Sequence, residues 1–160
     1  MSYIEKNLMS GESIIYRSKL HWVIFFWPAF WFVVAVIFSI ASVVNTSDIR
    51  MVAFFGIPPV LIALVMGISA FITYKSSEFG ITNKRVIVKV GFFRINSLEV
   101  LLNKIEGIQV NQGIAGRILG YGSITVSGTG GTRDPFDRID SPLEFRRKAQ
   151  EQISVAQDSR

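Results

Sequence analysis

The chain has 160 residues, 49% of them hydrophobic, with 17 Lys and Arg against 12 Asp and Glu and a formal charge of +5. It contains no cysteine, which excludes a disulfide framework and any thiolate nucleophile or thiolate metal site. One histidine leaves little material for metal or acid–base chemistry, and the length allows about one soluble domain beside any membrane segment.

Residues 1–20 are polar, with Lys6, Arg17 and Lys19 set against Glu5 and Glu12. Two apolar runs follow, Trp22 to Val44 and Met51 to Tyr74, and neither contains Asp, Glu, Lys or Arg. Each exceeds the roughly 20 residues that a helix needs to cross a hydrocarbon core of about 30 Å. Asn45 to Arg50 between them suffices for a turn. The first run is too long for the apolar part of a cleavable signal peptide and is followed at once by a second. The expectation is an integral membrane protein with a two-helix transmembrane hairpin over residues 21–75. An N-terminal segment, 1–20, precedes it, a soluble domain, 76–153, follows, and 154–160 is a polar tail. Lys75, Lys84, Arg85, Lys89 and Arg94 crowd the exit of the second run. The positive-inside rule then puts both termini in the cytoplasm and the short turn outside. Trp22 and Tyr74 suit an interfacial aromatic belt.

Ala35, Ser39 and Ser42 share one face of the first span, and Ala63, Gly67 and Ala70 one face of the second. Small residues let helices approach closely in lipid. They serve either an interface between subunits or the packing of the hairpin on itself. Pro58-Pro59 predicts a bend or a late start of the second helix. His21 reads as a polar residue at the membrane edge. No intramembrane charge marks a transport path.

Beyond Tyr74 the pattern becomes short strands: Glu78 to Thr82, Arg85 to Val90 bounded by Gly91, Ser97 to Leu102, and one through Ile105, Ile108 and Val110 with a bulge at Gly107. Ser123 to Ser127 alternates strictly, Gly128 to Gly131 is a turn, and Phe136 to Ile139 is a last strand. Ser141-Pro142-Leu143-Glu144 then signals a helix, with Ser as N-cap and Pro at the first position. Phe145, Ala149, Ile153 and Ala156 give it an apolar face.

The blocks Ile81-Thr82-Asn83-Lys84-Arg85-Val86-Ile87, Gly91-Phe92-Phe93 and Leu102-Asn103-Lys104-Ile105-Glu106-Gly107-Ile108 resemble the bacterial pleckstrin-homology (PH)-like domain of YdbS/YdbT-type membrane proteins. Gly113 to Gly122, the strand after it and the terminal helix continue the likeness. So does Gly11-Glu12-Ser13-Ile14-Ile15 ahead of a hairpin. The resemblance implies an α+β protein with a PH-like antiparallel barrel or sandwich of about seven strands, capped by the C-terminal helix. It also implies that Ser13 to Arg17 adds a strand from before the hairpin. It brings no activity or ligand with it, so function has to be read from a site.

No nucleophile–base pair is visible. Asp134, Asp137 and Asp140 miss calcium-loop spacing and read as solvated turn residues. Gly128 to Arg133 lacks the context of a phosphate loop. Gly116 and Gly120 read as close packing of a short helix on the sheet. No cofactor, metal or catalytic residue is expected. Residues 75–148 carry 12 Lys and Arg against 7 Asp and Glu. Lys84, Arg85 and Lys89 are candidate contacts to anionic lipid headgroups or a partner, or merely topology signals. Nucleic acid is not expected as a partner. The leading reading is a non-catalytic, membrane-anchored scaffold for protein assembly at the cytoplasmic face of a bacterial inner membrane, self-associating as a homo-oligomer. The alternative is an accessory subunit that binds a membrane enzyme or transporter through the hairpin. A lipid enzyme ranks last.

Overall fold

The computed structural model describes residues 3–45, 49–92, 95–129 and 133–158. Parts of two expected turns, residues 46–48 between the spans and 130–131 of the glycine-rich loop, lie outside the described residues, as do Phe93 and Arg94. The chain divides into two units, Met1–His21 with Ser76–Arg160, and Trp22–Lys75.

The first unit starts with a short helix α1 (Tyr3–Lys6) and strand β1 (Ile14–Ser18). Five further strands are β2 (Glu78–Thr82), β3 (Arg85–Val90), β4 (Asn96–Leu101), β5 (Ile105–Asn111) and β6 (Tyr121–Gly128). Helix α4 (Ile114–Leu119) lies between β5 and β6, and β7 (Arg133–Asp140) leads into α5 (Pro142–Asp158). All pairing is antiparallel, in two sheets ordered β1-β2-β3-β4 and β5-β6-β7. The strand expected from before the hairpin is therefore present, with Tyr16 opposite Ile81 and Ser18 opposite Phe79. The register shifts between Ile105 and Gly107, where a bulge was expected.

The sandwich half of the expectation stands, and the barrel half does not. The chain passes from β4 to β5 through a 3₁₀ turn, Leu102–Lys104, rather than a shared ladder. At the opposite seam the sheets meet in an isolated Leu20–Ile139 bridge, flanked by Asp140 N to Lys19 O and His21 N to Arg138 O bonds.

Phe79 of β2 meets Phe136 of β7 edge to face between the sheets, with centroids 6.4 Å apart. Ile81, Ile87, Val88, Ile124, Val126 and Ile139 complete an apolar interior. Along β6 every second residue is buried, the period of a half-buried strand. β2 is buried from Phe79 to Thr82 because it is covered on both faces. Ile4 of α1 lies over Gly80, so close that a Cβ there would stand 2.6 Å from Ile4 Cδ1. The Glu78 carboxylate accepts from the amides of Tyr3 and Ile4 at 3.0 and 3.1 Å, holding the start of α1.

α5 buries Phe145 and Ala149, as its spacing predicts, and Tyr16 meets Phe145 edge to face at 6.2 Å. Its start departs from a simple N-cap. Ser141 has φ +49, its carbonyl accepts from Glu144 and Phe145, and its hydroxyl turns to Asp140. The helix continues through residues 154–158.

The second unit holds α2 (Phe26–Asn45), entered by a 3₁₀ turn at Trp22–Phe25, and most of α3 (Ile49–Ser76). Two stretches, Trp22–Val44 and Ala53–Ser76, are long and apolar enough to cross a membrane. α3 begins at Ile49, ahead of both prolines, so the late start is not what occurs. Pro58 and Pro59 remove the amide donors that would serve the carbonyls of Phe54 and Phe55.

Candidate functional site

The densest polar arrangement joins the segment before the hairpin to the sheet after it. A turn with Glu12 N bonded to Met9 O brings the Glu12 carboxylate back over the Met9 amide, which donates to Oε2 at 2.6 Å. The Thr82 hydroxyl donates to Glu12 Oε1 at 2.7 Å and accepts from the Arg85 amide at 3.0 Å. Arg85 closes the arrangement with a two-pronged grip on Glu12, Nε to Oε1 at 3.0 Å and Nη2 to Oε2 at 3.1 Å. Its Nη1 donates to Glu99 of β4 at 2.6 Å, and its Nη2 also donates to the Asn7 carbonyl.

The Glu12 side chain is 0% exposed and that of Arg85 7%. Burial pushes the Glu12 carboxyl upward, but bonds from Arg85, Met9 and Thr82 outweigh it and hold the group below its ordinary 4.5. The bond to Glu12 in turn keeps the Arg85 guanidinium more firmly protonated. This buried ion pair, with every side-chain nitrogen and oxygen hydrogen-bonded, fastens two chain segments. It presents no reactive group.

Among the three cations expected at the surface, Arg85 is the correction: its guanidinium is enclosed and each of its three nitrogens is hydrogen-bonded. Lys84 is exposed, with Nζ donating to Ser10 O at 2.7 Å. Lys89 is half-buried, with Nζ 4.5 Å from the centre of the Tyr3 ring. These cations thus bind the N-terminal segment down, which a reading of local charge does not reveal.

In the hairpin, Ala35, Ala63 and Ala70 are buried, and Ser39, Ser42 and Gly67 are half-buried. The Ser39 and Ser42 hydroxyls donate back to Ala35 O and Phe38 O at 2.8 Å. One close approach uses a residue that the sequence reading missed. A Cβ on Gly56 would stand 2.8 Å from Ser39 Oγ. Gly56 lies seven residues before Ala63, on the same stripe, so extending the pattern by two turns would have found it. Gly67 faces Pro28 at van der Waals distance. Gly56 against Ser39 and Gly67 against Pro28 thus bring α2 and α3 together.

A family model described as Bacterial PH domain matches residues 22–153, well over half of the chain. The chain belongs to that family. No curated protein and no solved structure matches it. Membership points to a non-catalytic module.

The PH-like unit also has an open cleft of about 490 Å³ between α4, β6 and β7, lined by Asn111, Ile114, Tyr121, Asp137 and Arg138 among others. Gly116 packs against the Tyr121 carbonyl, as the glycine pair in this segment predicts, and Gly120 closes α4 with φ +81. His21, expected as a polar residue at the membrane edge, is also enclosed. It is buried in this unit, its ring 5.3 Å from that of Tyr121 and its amide donating to Arg138 O at 2.6 Å. Arg138 itself has φ +59, a conformation that non-glycine residues hold only when neighbours impose it. Among the described residues, no three His, Cys, Asp or Glu side chains are grouped to hold a metal ion. The side chain of Asp134 lies outside the described residues, and Asp137 and Asp140 are exposed.

Proposed function

We propose that this chain is a non-catalytic, membrane-anchored PH-like module that scaffolds protein assembly at the cytoplasmic face of a bacterial inner membrane and associates with copies of itself. The observation that carries this reading is the pairing of β1 with β2. The two apolar helices are inserted between neighbouring strands of one sheet. A segment that leaves and returns to the same sheet can cross a bilayer only an even number of times. Two spans with both termini on one side fit that constraint, and the basic residues around the hairpin favour the cytoplasm. The outer edges of the two sheets, on β4 and β5 among others, offer unpaired backbone to a second copy or a partner strand. The accessory-subunit alternative relied on the small-residue face of the hairpin, and the approach of Gly56 to Ser39 and of Gly67 to Pro28 supports packing of α2 on α3 along that face instead.

Native mass spectrometry of the full chain, gently extracted from its own membrane, tests the proposal. A discrete homo-oligomer is the expected result. A monomer refutes self-association, and a second protein in fixed ratio supports the accessory-subunit reading instead.

A further inference from the structure

Helix α4 exposes Ile114 at 83% and Ile118 at 78%, one turn apart, with Leu119 at 43%. Scattered apolar residues on a surface are ordinary, but this group has a particular place in the unit. α4 runs directly into Tyr121, and Gly116 is seated on the Tyr121 carbonyl. The Tyr121 ring lies against His21, whose amide is bonded to Arg138. His21 is the last residue of the PH-like unit before the first apolar helix. A six-residue helix is about 9 Å long, so both isoleucines lie within a short reach of the point where the chain departs. At the other junction, Ser77 Oγ accepts from the Gly91 amide at 3.2 Å, and Phe92 beside it is 59% exposed. α4 carries Arg117 and no acidic residue. The cleft wall beside it bears Arg138 together with Asp137.

We propose that α4 inserts Ile114 and Ile118 into the interfacial zone of the leaflet that the hairpin crosses, with Arg117 at the headgroups. The partner of this surface is lipid. The inference rests on the membrane anchoring proposed above. Once the hairpin spans, His21 is held at the interface, and amphipathic elements there bury their apolar side about 5–10 Å into the headgroup and acyl boundary.

The absence of cysteine makes site-directed spin labelling direct. Ile114→Cys, Ile118→Cys, Val155→Cys and Leu64→Cys are made singly in the full chain, all at exposed positions. Each is labelled and reconstituted in vesicles of phosphatidylcholine and phosphatidylglycerol. Accessibility to oxygen, which concentrates in the acyl region, is compared with accessibility to a water-soluble nickel chelate. The expected oxygen-to-nickel ratio is highest at 64, several-fold above the 155 value at 114 and 118, and lowest at 155. A high ratio at 64 with 114 and 118 equal to 155 overturns the insertion while leaving the anchoring intact. A nickel-accessible 64 overturns the anchoring itself. Low access to both reagents at 118, with broadening removed by diluting in unlabelled chain, assigns the surface to a second copy and also overturns the insertion.

Discussion

Replacing Arg85 by Met should be among the most damaging single changes outside the hairpin. The side chain makes two bonds to a fully buried carboxylate, one to Glu99 and one to the Asn7 carbonyl. Met fills similar volume and supplies no donor, so Glu12 is left charged and enclosed. Removing one partner of such a pair costs about 3–5 kcal/mol, a large share of the roughly 5–15 kcal/mol that holds a domain folded. With a urea dependence of about 2 kcal/mol per M, the midpoint should fall by about 2 M. Glu99→Gln makes an internal comparison, because the Glu99 side chain is 36% exposed and Arg85 keeps Glu12. An exposed pair of that kind is worth about 1 kcal/mol or less, so the shift should stay near 0.5 M. Replacing both buried partners, Glu12→Leu with Arg85→Met, should recover much of the single-variant loss, since no unpaired charge remains. Trp22, Trp27 and Trp31 all lie in the hairpin, so tryptophan fluorescence would report the wrong unit. Pulse proteolysis across a urea series, scoring cleavage after residue 76 in the full chain, reads the PH-like unit. A midpoint for Arg85→Met within about 0.5 M of the parent, or equal shifts for Arg85→Met and Glu99→Gln, would refute the reasoning.

The Glu12 carboxyl is held below its ordinary 4.5 in the folded state. Its contribution to stability is therefore present above about pH 4.5 and lost as pH falls through the lower folded value. Urea midpoints between pH 7 and 3 should decline less steeply for Glu12→Gln than for the parent, and equal slopes would contradict this. Ser39→Cys with Gly56→Cys should form a disulfide within one chain on mild oxidation. The Ser39 Cβ stands 3.6 Å from a Cβ built on Gly56, within the range that a disulfide requires; a cross-linked dimer on a non-reducing gel would instead make this face a subunit interface. Gly116→Ala drives a methyl into the Tyr121 carbonyl, which is backbone and cannot rotate away. Its thermal midpoint should fall by the equivalent of about 1–3 kcal/mol. Phe145→Ala empties a wholly buried site on α5 and should cost about 3–5 kcal/mol in urea unfolding.

Much of the strand pattern is written in local sequence. Glu78–Thr82 and Arg85–Val90 announce themselves by β-branched runs between turn residues, and Ile124 and Val126 by strict alternation. β1 has no such local mark, and only the likeness to related chains supplied it. The Glu12–Arg85 pair was invisible because its members stand 73 positions apart, and nothing in the polar stretch around Glu12 says that it will be enclosed. Arg85 looked like one more basic residue at a span exit. A weak signal against that reading was available: Ile87 shares its strand face with Arg85 and Lys89, and an apolar residue in that position marks a covered face. The enclosure of His21 is hidden for a similar reason, since its neighbour Trp22 is visible in sequence and its partner Tyr121 is not.

Placing the hairpin between β1 and β2 also orders events at the ribosome. Residues 3–20 leave the ribosome before the strand they pair with. Glu12 must wait for Arg85, 73 positions later, which at about 5–20 residues per second is roughly 4–15 s of synthesis. In the membrane-anchored reading proposed above, both apolar helices have to be delivered to a translocation machinery or shielded by a chaperone during that interval. Only a chain whose hairpin returns to its starting side can bring β2 alongside β1. Ile4 and Phe79 become buried only when β1 and β2 come together, so on the proposed reading a nascent chain that fails insertion advertises itself to proteases through the same residues that would otherwise form its core.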